Sequence, residues 1–231
     1  MQGTGLILFW WIMFGGSHIV GSSVPVRTYC ISRIGTLGFK CIYSVVALVT
    51  FLILCYVFLT HKHAGSPLNY TPGYASQLLA QLLMLVALVI LLQALTTTNP
   101  MTTNAELFGR DISSVIGIQR ITRHPQNFAF GIFGLAHLLV NPYLGDWIFF
   151  GGFIVFGIVG ALHQDRRMLA MGHVQVKQFI ADTSAVPFAA ILAGRQKLRI
   201  DEYYPPALAA AIVLFILSRL LHPMLFGGFG G

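Results

Sequence analysis

Six apolar runs decide what this chain can fold into. They cover about residues 5–22, 37–59, 75–95, 125–142, 144–163 and 206–221. Most approach the roughly 20 residues that an α-helix needs to cross a bilayer. In lipid the backbone must satisfy its own polar groups, so apolar runs of this length become helices. The expected fold is all-α, a polytopic transmembrane bundle of about six spanning helices. The run between Pro125 and Pro142 is short, at about 24 Å if helical throughout. No polar linker is long enough to divide the chain, so residues 1–231 read as a single integral membrane domain.

Charge agrees with this reading and orients it. Only 9% of the residues are charged, against about 25% in a soluble domain. With the N-terminus outside, one side collects Arg27, Arg33, Arg110, Arg120, Arg123, Arg166, Arg167, Lys177, Arg195, Lys197 and Arg199, while the other holds Lys62. That asymmetry is a positive-inside signal. It puts both termini outside, which in a bacterial inner membrane is the periplasm. The net charge of +7 is thereby assigned to topology, and nucleic acid is excluded as a partner. The polar stretch from Thr96 to Gln119, with Glu106, Arg110 and Asp111, should leave the hydrocarbon. The residues from Gln164 to Pro205 should form an amphipathic helix and loop, and Gly227 to Gly231 a frayed tail. The first run lacks a basic start and should stay as a spanning helix. Cys30, Cys41 and Cys55 show no metal or disulfide spacing. His61, His63 and His173 read as solvated. No P-loop, dinucleotide fingerprint, nucleophile elbow or HExxH is present.

The polar chemistry concentrates in a hairpin, Ile118 to Arg167. It opens with Arg120, Arg123 and His124, closed by Pro125. It turns at Asn141-Pro-Tyr-Leu-Gly-Asp146 and returns to His163-Gln164-Asp165-Arg166-Arg167. A short turn makes its two helices neighbours, so both polar ends should meet in one cytoplasmic pocket. Arginine and imidazole beside a membrane can hold carboxylates or phosphates by charge-assisted bonds. Topology and lipid headgroups account for the arginines equally well.

Two histidines sit inside apolar runs in matching contexts, Phe14-Gly-Gly-Ser-His18 and Phe133-Gly-Leu-Ala-His137. Helical side chains lean toward the N-terminus, so each imidazole leans over a glycine, Gly15 or Gly134. A flat macrocycle needs such a surface, and a histidine on each face gives axial ligation. The same pattern serves close helix packing, with each imidazole bonded to a carbonyl. Because intramembrane ionisable groups tend to be functional, His18 and His137 are the candidate metal ligands. Gly15 and Gly134 would give the porphyrin room, and Arg120, Arg123, His124, His163 and Asp165 would complete the cofactor site. His137 lies about 18 Å into its helix and His18 near the cytoplasmic end of its own. If their depths differ, His124 or His163 is the alternative partner for His18.

The segments RITRHPQNFAFGIFGLAHLLVN, GALHQDRR, SHIVGSSVPVR and VPFAAILAGR resemble the NnrU family of bacterial membrane proteins, associated with denitrification. That family includes the 15-cis-zeta-carotene isomerases, haem b enzymes that isomerise a polyene double bond. The resemblance implies haem b as cofactor, with His18 and His137 as axial ligands, and puts Gly134 where the isomerases carry a cysteine. It implies denitrification-linked redox chemistry, gas sensing or polyene isomerisation. The partners implied are the lipid bilayer, a hydrophobic polyene or small-gas ligand and a membrane redox partner. A more distant likeness is to the isoprenylcysteine carboxyl methyltransferases, through the RHP motif and the following polar segment, where Gln164 and Asp165 replace paired glutamates. It implies an S-adenosylmethionine-dependent methyltransferase as an alternative. A non-enzymatic accessory to nitrite and nitric oxide reductases is a third reading.

Overall fold

A computed structural model describes residues 2–99, 114–172 and 174–226. The expectations for Glu106, Arg110, Asp111, His173 and the tail 227–231 lie outside the described residues. The helices are α1 (Gln2–Ser22), α2 (Val24–Thr60), α3 (Tyr74–Thr96), α4 (Pro125–Leu138), α5 (Leu144–Ala170), α6 (Val174–Asp182), α7 (Ala189–Leu192) and α8 (Pro205–Phe226). Short 3-10 turns cover Gly117–Arg120 and Ile200–Glu202. Among the described residues, β-pairing is confined to one antiparallel bridge, Pro67 to Tyr143. The fold is an all-α membrane bundle, as the apolar runs require.

Five helices, α1, α2, α3, α5 and α8, are long and apolar enough to cross a membrane. The fourth run becomes α4, with 14 residues, about 21 Å of helix. It still joins the two ends of the bundle. Arg123 before it meets α5 at one end, and the carbonyl of Leu138 accepts from the Tyr70 hydroxyl at the other.

Three boundaries differ from the sequence expectation. The second helix begins at Val24 instead of about Leu37, so Arg27 and Arg33 are helical and not in a loop. Pro25 falls in the first turn of this helix, where a missing N–H costs nothing. The bend is taken instead by Gly35, at φ 74° and ψ 168°, a conformation open to glycine. The fifth helix continues past His163 to Ala170, lifting the polar residues 163–167 on a rigid stem. The last helix passes through Pro223 to Phe226, because proline in a final turn removes just one backbone bond.

Helix α5 is the central column, touching α1, α2, α4 and α6. The Trp11 indole lies against Gly152 and donates from Nε1 to the Phe149 carbonyl at 3.0 Å. Phe58 stacks on Phe149 with centroids 3.8 Å apart. Helix α4 presses on the other side of α5 through two glycines. A Cβ on Gly134 would strike the Phe150 carbonyl, and one on Gly157 would lie 2.7 Å from the Asn127 carbonyl. Small residues of this kind let membrane helices approach closely.

The two ends of the bundle are chemically distinct. One, the basic end, gathers Ser22, Gln93, Asn99, Arg120 to His124, His163 to Arg167 and residues 183–204. The other gathers the start of α1, the α2–α3 loop, the α4–α5 turn and Phe226. Gln93 is a structural joint. Its side-chain amide donates to the Tyr204 carbonyl at 2.9 Å and accepts from the Tyr204 N–H at 3.0 Å, tying α3 to the start of α8.

The glycine contacts give a direct test. Gly134→Val and Gly157→Val should each destabilise the protein by about 1–3 kcal/mol, the usual cost of overpacking. Gly16→Ala, where a Cβ meets nothing within 4 Å, should not. Thermal unfolding in detergent checks this; equal melting temperatures for all three variants would refute the assignment.

Candidate functional site

The intramembrane histidines lie on different sides of the α5 column. The His18 ring, on α1, packs among Phe14, Tyr43 and Phe156, with centroids 5.8, 5.0 and 5.2 Å away. Its Nδ1 is buried without a hydrogen-bond partner among the described residues. Beside it Gly15 meets just Phe156, at an ordinary 3.7 Å, and Gly16 borders open space. The His137 ring, on α4, stacks on Phe150 at 4.3 Å and leans on Phe133 at 4.4 Å. Its Nδ1 donates to the Phe133 carbonyl at 2.9 Å, which leaves Nε2 as the lone-pair nitrogen.

Phe150 and Phe156 are six residues apart on α5, so the two histidines face levels differing by about 9 Å. Between them Phe133, Phe150, Phe153 and Phe156 form a run of aromatic contacts with Trp11 and Phe14. The donor set suits haem b. Two imidazoles stand in the apolar interior, one on either side of α5, and one carries an orphaned buried nitrogen. The expected role of Gly134 is corrected: its open face is filled by the α5 backbone, so it serves helix packing. A Cβ on Gly15 would make one ordinary contact, with Phe156.

The expected single pocket at the basic end divides into three. Arg123 donates to Asp165 from Nε at 2.9 Å and from an outer nitrogen at 2.5 Å. His124 Nε2 donates to the same carboxylate at 2.8 Å. Arg120 turns away and forms a two-pronged pair with Glu202, both bonds 2.7 Å, and donates to Gln196 at 2.6 Å. His163 Nε2 sits 3.1 Å from the Ser22 hydroxyl, toward α1 and within electrostatic reach of His18. Both arginines therefore already have carboxylate partners. They fasten residues 117–124 to the stem of α5 and to the 183–202 segment, helped by Thr122 on the Ala185 carbonyl (2.8 Å) and Asn99 on the Arg123 carbonyl (2.9 Å).

One pair escaped the sequence reading. Asp146, fully buried in the first turn of α5, accepts from His63 Nδ1 at 2.7 Å and from the His63 N–H at 3.3 Å. His63, expected to be solvated, is half exposed but held at φ 57°. The available signal was a lone carboxylate at a membrane helix start, where the helix dipole favours it. Among the described residues no group of three or more histidine, cysteine, aspartate or glutamate side chains is placed to hold a metal ion.

A family model described as "NnrU protein" matches residues 6–228. The chain is similar to a chloroplastic 15-cis-zeta-carotene isomerase from Zea mays, 36% identical over 115 residues, which are 47% of this chain and 31% of that protein. It is also similar to the enzyme of the same name from Arabidopsis thaliana, 35% identical over 118 residues, 48% of this chain and 31% of the relative. The matched stretch thus spans about a third of the length of these curated relatives. No solved structure matches the chain significantly.

The carboxylates at the basic end are the vulnerable part. Asp165→Ala leaves Arg123 and His124 without their shared anion and should cost about 3 kcal/mol, read by thermal unfolding; an unchanged melting temperature would contradict the clamp. The Arg120 guanidinium beside Glu202 holds that carboxyl below its ordinary value of 4.5. This stabilisation is complete above the unfolded value and is lost as pH falls through the folded one. Stability should therefore drop below about pH 4.5, and less steeply in Glu202→Gln. Parallel acid profiles for the two proteins would rule the pair out as a contributor.

Proposed function

This chain belongs to the NnrU family, and on that premise we propose that it is a membrane protein that binds haem b through His18 and His137 and isomerises an apolar polyene. The observation that carries the proposal is the orphaned, buried Nδ1 of His18, an atom whose burial costs free energy unless a ligand engages it. The His137 nitrogen left unbonded by its own helix supports the second position. The names of the isomerase relatives supply the substrate class.

In this reading the chain's own residues do three things. His18 and His137 offer neutral nitrogens from α1 and α4. Phe133, Phe150, Phe153 and Phe156 exclude water and provide an aromatic wall suited to a conjugated hydrocarbon. The Phe133 carbonyl fixes the tautomer of His137 by accepting from Nδ1, as partners beyond the metal shell do elsewhere. A bound haem would supply one-electron chemistry at the iron. With both imidazoles holding the group, His18 and His137 would be engaged as ligands and the phenylalanine wall would be left to position an apolar substrate. The orientation that follows from the basic residues puts the basic end in the cytoplasm.

The test is spectroscopic. Protein purified after haem-replete expression should show a low-spin Soret spectrum, which His18→Ala or His137→Ala converts to a high-spin one or abolishes. Wild-type protein without a Soret band would end the haem reading. Unchanged spectra in both variants would move the ligands elsewhere, with His163 next. Co-expression in a bacterial host that accumulates 15-cis-zeta-carotene should raise the share of the isomerised product; an unchanged isomer ratio from haem-loaded protein would remove the isomerase assignment.

A further inference from the structure

The segment between α6 and α8 has an apolar surface that the bundle leaves unpartnered. Phe188, Leu192, Leu198 and Ile200 are 48, 86, 50 and 76% exposed. This is a firmly held piece of chain. Ala190, in its centre, is fully buried, and its N–H donates to the Ser184 hydroxyl at 2.9 Å. The Phe188 N–H donates to the Ile121 carbonyl at 2.9 Å. Phe188 itself stands at φ 63°, a conformation in which a bulky residue is an outlier. The fold thus turns these side chains outward from an anchored backbone.

Two features say what meets them. The first is depth. Ile200 is five residues before Pro205, where α8 enters its apolar run, so the end of the segment lies within about 18 Å of the start of a membrane span. The second is charge. Arg195 and Lys197 alternate with the apolar positions. Arg195 donates to the Ala181 and Thr183 carbonyls, with no carboxylate against it among the described residues. Apolar side chains interleaved with cations at the edge of a span match a headgroup boundary, where hydrocarbon and lipid phosphate are adjacent.

We propose that residues 188–200 form an interfacial docking element for an anionic lipid surface at the basic end of the bundle. Leu192, Phe188 and Ile200 enter the boundary between headgroups and acyl chains, while Arg195 and Lys197 sit at the phosphates. The element is independent of the haem site.

The full chain can be tested in nanodiscs of phosphatidylcholine with or without phosphatidylglycerol. Cys30, Cys41 and Cys55 are replaced by serine, and a single nitroxide is attached at Leu192→Cys or, as a solvated reference, at Asp201→Cys. Accessibility to oxygen and to a polar nickel chelate reports depth. The label at 192 should favour oxygen over nickel by several-fold relative to the label at 201. Phosphatidylglycerol should increase that ratio about twofold, and Arg195→Gln with Lys197→Gln should abolish the increase. Equal nickel access at 192 and 201 would overturn the proposal, as would a ratio indifferent to phosphatidylglycerol. Concentration-dependent spin broadening at 192 would assign the surface to a second copy of the chain and also overturn it. Haem content read from the same samples would separate failure here from failure at the histidines.

Discussion

The bundle depends on the close approach of α4 to α5. At Gly134 and Gly157 there is backbone of one helix where a methyl group would otherwise stand. Without a hydrophobic driving force between helices in lipid, dispersion over such tight contacts holds them together. The contact fixes the angle between α4 and the α5 that returns from the NPYLGD turn. That angle sets the His137 ring flat on Phe150 and brings Arg123 and His124 to the same carboxylate on α5. The intramembrane histidine and the basic end are thus positioned by one crossing.

Electrostatics at the basic end follow a similar economy. Cations outnumber anions there, and two carboxylates, Asp165 and Glu202, hold Arg123 with His124 and Arg120 respectively. Burying paired charges rarely adds much stability, but losing one partner is costly. The paired arginines therefore act as fasteners of a connecting segment. The imidazole nitrogen without a protein partner lies instead in the apolar interior, where partners are scarce.

Much of this was legible in the sequence because its physics is local. Run length and charge placement dictate membrane helices, and Pro125 and Pro142 bracket α4. The pairing of Arg123 and His124 with the far end of the hairpin follows from a short turn. What the sequence did not disclose depends on a partner's position. The glycine before His18 and the one before His137 look alike in sequence, yet Gly15 is accessible and Gly134 is packed on a carbonyl. Arg120 and Arg123 are three residues apart, but a 3-10 turn sends one toward Glu202 and the other toward Asp165. His63 reads as solvated until Asp146, 83 residues later, is brought beneath it.

The bond from Trp11 to the Phe149 carbonyl has a consequence for biogenesis. Its partners are 138 residues apart. At roughly 5–20 residues per second of synthesis, α1 inhabits the membrane for roughly 7–28 s before the Phe149 carbonyl exists. During that interval the indole N–H and the His18 imidazole lack the column that will enclose them. The nascent chain must therefore shelter a polar first helix, by pairing it with α2 or by retaining it beside the insertion machinery. The first helix to be made becomes one of the last to be finished.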